Sequence, residues 1–216
     1  MIKAIIFDFD GVLVHSERAN IEAALKTFKD IGKPLTSEEE ASIPGRASLD
    51  FIPEFSKKRG INDANEHQEL YEINRENYKM LWSSVVKMFP DNQKAIETLV
   101  SLGKALAIAT TNRRETVEMF FNNFHMHNIF SFVVAGEEVK NRKPDPEAYL
   151  LAVQGLGLAK NDCITVEDTS IGLQAAKRAG LRCVVIPNEY TQKDDFSQAD
   201  FILKSMAQLP NLLLEL

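Results

Sequence analysis

Residues 8 to 10 read Asp-Phe-Asp, directly after the apolar run KAIIF and directly before Gly11. Two carboxylates so close repel each other, and a turn gains little from having both. Three other places carry similar residues. The run KALAIA leads into Thr110, Thr111 and Asn112. Lys143 precedes Pro-Asp-Pro, and CITV leads into Glu167, Asp168 and Thr169, with Gly172 shortly after. Singly, each has an ordinary structural reading as a polar turn, a helix N-cap or a solvated charged loop. Together they bring several acids, one lysine and hydroxyl and amide donors to four strand ends. Clustered carboxylates without compensation cost folding energy, which implies a cation. An all-oxygen set lacking His and Cys selects a hard ion, and Mg2+ fits best. Such a site beside a lysine suits a phosphoryl group. In that chemistry Asp8 can attack phosphorus to form an aspartyl-phosphate. Asp10 can then protonate the leaving oxygen and deprotonate water. No G-x-x-x-x-G-K-[ST] loop is present, and no G-x-G-x-x-G follows the first apolar run, so neither a P-loop nor a dinucleotide site is supported.

The elements that must position these residues are legible as six short apolar runs: 3–9, 104–110, 131–136, 162–168, 182–187 and 200–204. They are rich in Val and Ile and apolar throughout, as strands buried on both faces of a parallel sheet must be. Helical patterns alternate with them at 92–102, 114–124, 146–156, 170–179 and 206–214, and Gly103 and Gly180 stand where helices end. The alternation predicts an α/β fold with a doubly wound parallel sheet, and ligands in such sheets bind beyond the carboxyl ends of the strands. Residues 15–87 break the rhythm and read as helices only, at 16–31, 37–42, 49–58 and 65–85, with Thr36 and Glu39 spaced as a capping box. The expected organisation is a discontinuous Rossmann-like core, 1–14 with 88–216, and an inserted helical cap, 15–87.

The 216 residues are 44% hydrophobic and 26% charged, the balance of an ordinary globular protein. A net charge of −6, with no cluster of Lys and Arg, argues against nucleic acid and anionic membrane surfaces as partners. No apolar run reaches the length needed to span a bilayer, and the N-terminus lacks a signal peptide's features. Cys163 and Cys183 lie in apolar runs and read as buried reduced thiols, which suits a cytoplasmic protein. Phe120, Phe121 and Phe124 fall at helical spacing and are expected in the core.

At this point the chain resembles the haloacid dehalogenase-like hydrolase superfamily, in the branch with a helical cap after the first strand. All four motifs appear in order: DFDGVL (8–13), the threonine of IATTN (108–112), the lysine of KPDPEAY (143–149) and VEDTSIGLQAA (166–176). The resemblance implies Asp8 as nucleophile and Asp10 as general acid/base. It implies Thr110 as a phosphoryl ligand with Thr111 and Asn112 close behind, and Lys143 as the neutralising cation. Asp168, the Asp8 carboxylate and the Asp10 carbonyl would hold Mg2+, with Glu167 assisting directly or through water. Arg46 is the expected cap residue for substrate recognition. The implied activity is that of a phosphatase acting on a small phosphorylated metabolite, a sugar phosphate or phosphoglycolate-like compound, in a monomer or weak dimer. β-Phosphoglucomutase-like enzymes are the alternative, but they carry a histidine where this chain has Asn20 and G-x-S-R where it reads Gly45-Arg46-Ala47-Ser48. A silent phosphate-binding protein on this fold would lack a motif residue, and none is missing. His15 stands where members commonly have an aspartate.

Overall fold

The computed structural model describes all 216 residues. In chain order its strands are β1 (Ala4–Phe7), β2 (Val14–His15), β3 (Lys87–Met88), β4 (Ala105–Ala109), β5 (Phe132–Val134), β6 (Cys163–Glu167), β7 (Arg182–Val185) and β8 (Phe201–Ile202). Its helices are α1 (Glu17–Asp30), α2 (Ser37–Ala41), α3 (Ser48–Lys58), α4 (Ala64–Val85), α5 (Asn92–Ser101), α6 (Arg114–Phe124), α7 (Glu147–Leu156), α8 (Ser170–Arg178) and α9 (Leu209–Leu214). The chain divides into two compact units, Met1–His15 with Met88–Leu216, and Ser16–Lys87.

The first unit is a Rossmann-like α/β domain. Its six-stranded sheet has the order β5-β4-β1-β6-β7-β8, and every neighbouring pair is parallel. Each strand of the six coincides with one of the six apolar runs. All four residues of β1 and all five of β6 are buried, because helices cover both faces and leave no solvated side. From β1 the chain winds one way to β4 and β5, then returns to the other side of β1 for β6, β7 and β8. That reversal makes the carboxyl end of β1 a topological switch point, where a crevice opens between diverging connections.

Helix boundaries follow local chemistry. Gly103 and Gly180 have φ of 71° and 74°, ending α5 and α8 in the left-handed region that glycine occupies without penalty. The helical pattern 206–214 divides into a 3-10 turn, Met206–Gln208, and α9, because Pro210 in the first turn of α9 has no N–H to continue an earlier helix. Phe120 is fully buried, meets Phe9 edge-on at 5.4 Å and packs beside Phe121 and Phe124, the core role expected for this stripe.

The second unit is entirely helical apart from Lys87, with α1 to α4 around Phe28, Phe51, Ile52 and Phe55. Thr36 and Glu39 form the capping box at the start of α2: Thr36 Oγ1 accepts from Glu39 N at 3.2 Å, and Glu39 Oε2 accepts from Thr36 N at 2.9 Å. Arg59 then grips the same carboxylate with two nitrogens, at 2.9 and 2.5 Å. The two-residue strands β2 and β3, which pair with each other, are too short to leave a periodic signal and were not expected. The ring of His15, in β2, lies tilted against Phe89 with centroids 3.4 Å apart. No helix is long and apolar enough to cross a membrane.

Candidate active site

Strand β1 ends at Phe7, and Asp8 continues its line by donating its backbone N–H to Val166 O at 2.9 Å. Its carboxylate is thereby fixed next to the end of β6. Lys143, on the loop after β5, comes to the same point with a side chain only 6% exposed. Its ammonium donates to Asp8 Oδ1 and to Glu167 Oε1, each at 2.6 Å, and to the Tyr149 hydroxyl at 3.1 Å. All three ammonium protons therefore have partners. The charged-loop reading of VKNRK holds for its exposed residues but not for this lysine.

Tyr149 is a contact of this cluster that the sequence did not single out. It is fully buried in α7, donates its hydroxyl to Glu167 Oε1, and lays its ring 4.7 Å from the Lys143 ammonium. It is the last residue of the lysine motif KPDPEAY and lies in the first turn of α7, where it reads as a core aromatic. Glu167 is 1% exposed, and Gly172 makes room for it: a Cβ there would lie 1.9 Å from Glu167 Oε1. Thr169, not Glu167 or Asp168, caps α8, accepting from Gly172 N at 3.0 Å. Both acids are thus spared for the site.

From β4, Thr110 is 1% exposed, and its hydroxyl oxygen accepts from Asn112 N at 3.0 Å. The N-cap of α6 is Arg113, so Thr110, Thr111 and Asn112 are not its caps. Asn112 Nδ2 donates to Asp10 Oδ2, which orients the second aspartate of the opening pair. Asp168 lies at the end of β6, and Asn188 Nδ2 donates to its Oδ2 at 2.7 Å. Arg46 lies in the helical unit, where it pairs with Glu54 at 2.6 Å and sits over the Phe55 ring.

Carboxylate oxygens of Asp8, Glu167 and Asp168 lie within 4.8 Å of one another. Burial raises the Asp8 carboxyl most. Lys143 opposes that rise, Glu167 and Asp10 add to it, and the result is about 7. For Lys143, burial alone would favour the neutral amine, but Asp8 and Glu167 outweigh it and keep the ammonium charged well beyond the usual range. One lysine thus stands among four acids, counting Asp10, and the remaining negative charge suits a hard divalent cation held by oxygen. Such an ion would lower the cost of ionising Asp8, so the residues present fit it.

The fold and these acids define a Rossmann-like α/β protein with a carboxylate cluster at the switch point of its parallel sheet. The family profile for haloacid dehalogenase-like hydrolases matches residues 5–186, and the chain belongs to that family. The protein CbbY of Rhodobacter capsulatus is 34% identical over 222 residues, covering 95% of this chain and 94% of its own. The phosphorylated carbohydrates phosphatase of Thermotoga maritima is 33% identical over 181 residues, 83% of this chain and 82% of its own. CbbY of Rhodobacter sphaeroides has been solved with phosphate and, as a mutant, with xylulose-(1,5)bisphosphate. Those structures share 31% and 30% identity with this chain at a TM-score of 0.87 each, covering 97% of it and 96% of theirs.

Proposed function

We propose that this chain is a Mg2+-dependent phosphatase that hydrolyses a small phosphorylated sugar or related metabolite through an aspartyl-phosphate on Asp8. The observation that carries this reading is the ammonium of Lys143 held 2.6 Å from Asp8 Oδ1 beside the ordered Asp10 carboxylate. A relative named for phosphorylated carbohydrates, and a homologue crystallised with a sugar bisphosphate, support the substrate class.

In the first step Asp8 attacks phosphorus and the bond to the leaving oxygen breaks, while Asp10 gives that oxygen its proton. In the second, water attacks phosphorus, Asp10 takes a proton from it, and the Asp8 carboxylate departs. Lys143 favours the ionised form of Asp8 against the cost of burial and offsets charge on the transferring group. Thr110, with Thr111 and Asn112 beside it, offers hydrogen bonds to the phosphoryl oxygens, and Asn112 also keeps Asp10 aimed. Asp8, the Asp10 carbonyl and Asp168 would hold Mg2+, with Glu167 assisting, and the ion supplies positive charge to the phosphoryl oxygens when bound. The helical unit acts as a cap that changes water access between the two steps, and Arg46 serves in it as the substrate-recognising cation.

The test is phosphate release, with Mg2+, across a panel of sugar phosphates, sugar bisphosphates and phosphoglycolate. A parallel incubation with β-glucose 1-phosphate and a bisphosphate activator separates hydrolase from mutase. Free phosphate is expected in both, and isomerised sugar without phosphate release would overturn the hydrolase reading.

A further inference from the structure

We infer that Asn188, outside all four family motifs, is a positioning residue that makes the metal site selective for Mg2+ over larger divalent cations. The inference rests on the Mg2+ reading above and on geometry around one oxygen. Asn188 follows β7, and its Nδ2 donates to Asp168 Oδ2 at 2.7 Å. Its amide orientation is fixed from the other side. Asn188 Oδ1 accepts from the backbone N–H groups of Tyr190 and Thr191, at 2.9 and 3.3 Å, while Asn188 N donates to Thr191 Oγ1 at 3.1 Å. An amide whose oxygen is occupied by two backbone donors must turn its NH2 group to the carboxylate.

Gly11 completes the arrangement. A Cβ at that position would lie 2.0 Å from Asp168 Oδ2 and 2.7 Å from Asn188 Nδ2, so the bare glycine leaves the space in which the two side chains meet. The glycine that follows the paired aspartates therefore has a second function besides its φ of 71°. With Oδ2 tied to Asn188, the Asp168 carboxylate is held in one orientation, which favours contact with an ion through one oxygen over a bidentate grip. One-oxygen ligation at a fixed angle suits the small octahedral Mg2+, whereas Ca2+ accepts bidentate carboxylates and looser geometry. Hydrogen bonds of this kind behind a ligand are worth about 10- to 100-fold in metal affinity.

The experiment is calorimetric titration of the full chain with MgCl2 and, separately, CaCl2, for the wild type, Asn188→Ala and Asn188→Ser. Serine keeps an oxygen able to cap the turn but is too short to reach Asp168, so it guards against a variant that fails to fold. The expected result in both variants is a Mg2+ dissociation constant raised about 10- to 100-fold, with the Ca2+ constant changed less than about threefold. Thr191→Val, which loosens the turn without removing the amide, should leave both constants within about threefold of wild type. Unchanged Mg2+ affinity, or equal losses for the two ions, would overturn the role of Asn188. A wild type that binds no Mg2+ would instead overturn the metal reading beneath it.

Discussion

Lys143 Nζ lies 2.6 Å from Glu167 Oε1, the same distance at which it meets Asp8 Oδ1. Glu167 therefore anchors the lysine as well as adding to the acidic cluster. Lys143→Met keeps most of the side chain's volume and removes the charge, which leaves two buried carboxylates facing each other. The expected loss is about 3 kcal/mol in urea unfolding, because breaking a buried ion pair strands its partners. Turnover should fall about 100-fold or more in the same protein. A variant as stable as wild type would contradict the tight coupling described for these three groups.

Tyr149→Phe deletes one oxygen and retains the ring. Glu167 loses its hydroxyl donor and Lys143 loses an acceptor, while the hydrophobic packing around α7 is preserved. The expected outcome is a kcat about tenfold lower with KM little changed, since the hydroxyl aligns groups used in the chemical step. Steady-state kinetics on the best substrate of the panel checks this, and an unchanged kcat would show that the hydroxyl serves packing alone.

Glu39 provides a pH-dependent signature in the helical unit. The Arg59 hydrogen bonds lower its pKa from 4.5 to about 2, against the opposing effect of burial. A depressed carboxyl stabilises the fold in full above its ordinary pKa, and that contribution is lost as pH falls through about 2. Glu39→Gln should therefore cost about 2 kcal/mol near neutral pH, with the difference from wild type shrinking as the pH approaches 2. Urea unfolding at a series of pH values measures it. A difference that stays constant with pH would assign the loss to capping geometry instead of charge.

Gly11→Ala tests the crowded point behind the paired aspartates. The substitution is strained by its φ of 71° and places a methyl 2.0 Å from Asp168 Oδ2. Activity should fall at least about 100-fold, with a loss of stability of about 1 to 3 kcal/mol. Near-normal Mg2+ binding in this variant would mean that Asp168 can relocate freely.

The sheet was legible because a parallel sheet covered on both faces leaves unbroken apolar runs, and β1, β4 and β6 fall inside theirs. The strand ends were legible because Asp8, Asp10, Thr110 and Asp168 each stand at the carboxyl end of such a run or directly after it. What the sequence hid depends on contacts across long separations. Tyr149 reads as a core aromatic, which it is, and nothing local shows that its hydroxyl reaches Glu167. Asn188 reads as a turn residue, which it also is, and only the folded chain brings its amide to Asp168. Gly172 looks like an ordinary early-helix glycine until the Glu167 side chain is seen in the space where its Cβ would be. Arg46 was singled out from its sequence neighbours alone, and the Glu54 carboxylate that holds it is eight residues away on α3.

The central claim is that Asp8 attacks phosphorus. The most direct measurement is the turnover of p-nitrophenyl phosphate with Mg2+ by Asp8→Asn, alongside circular dichroism to show that the fold is retained. The account predicts a loss of about 10⁴-fold or more, since an amide at this position cannot form the aspartyl-phosphate. A folded Asp8→Asn protein that turns over at a rate near wild type would contradict it.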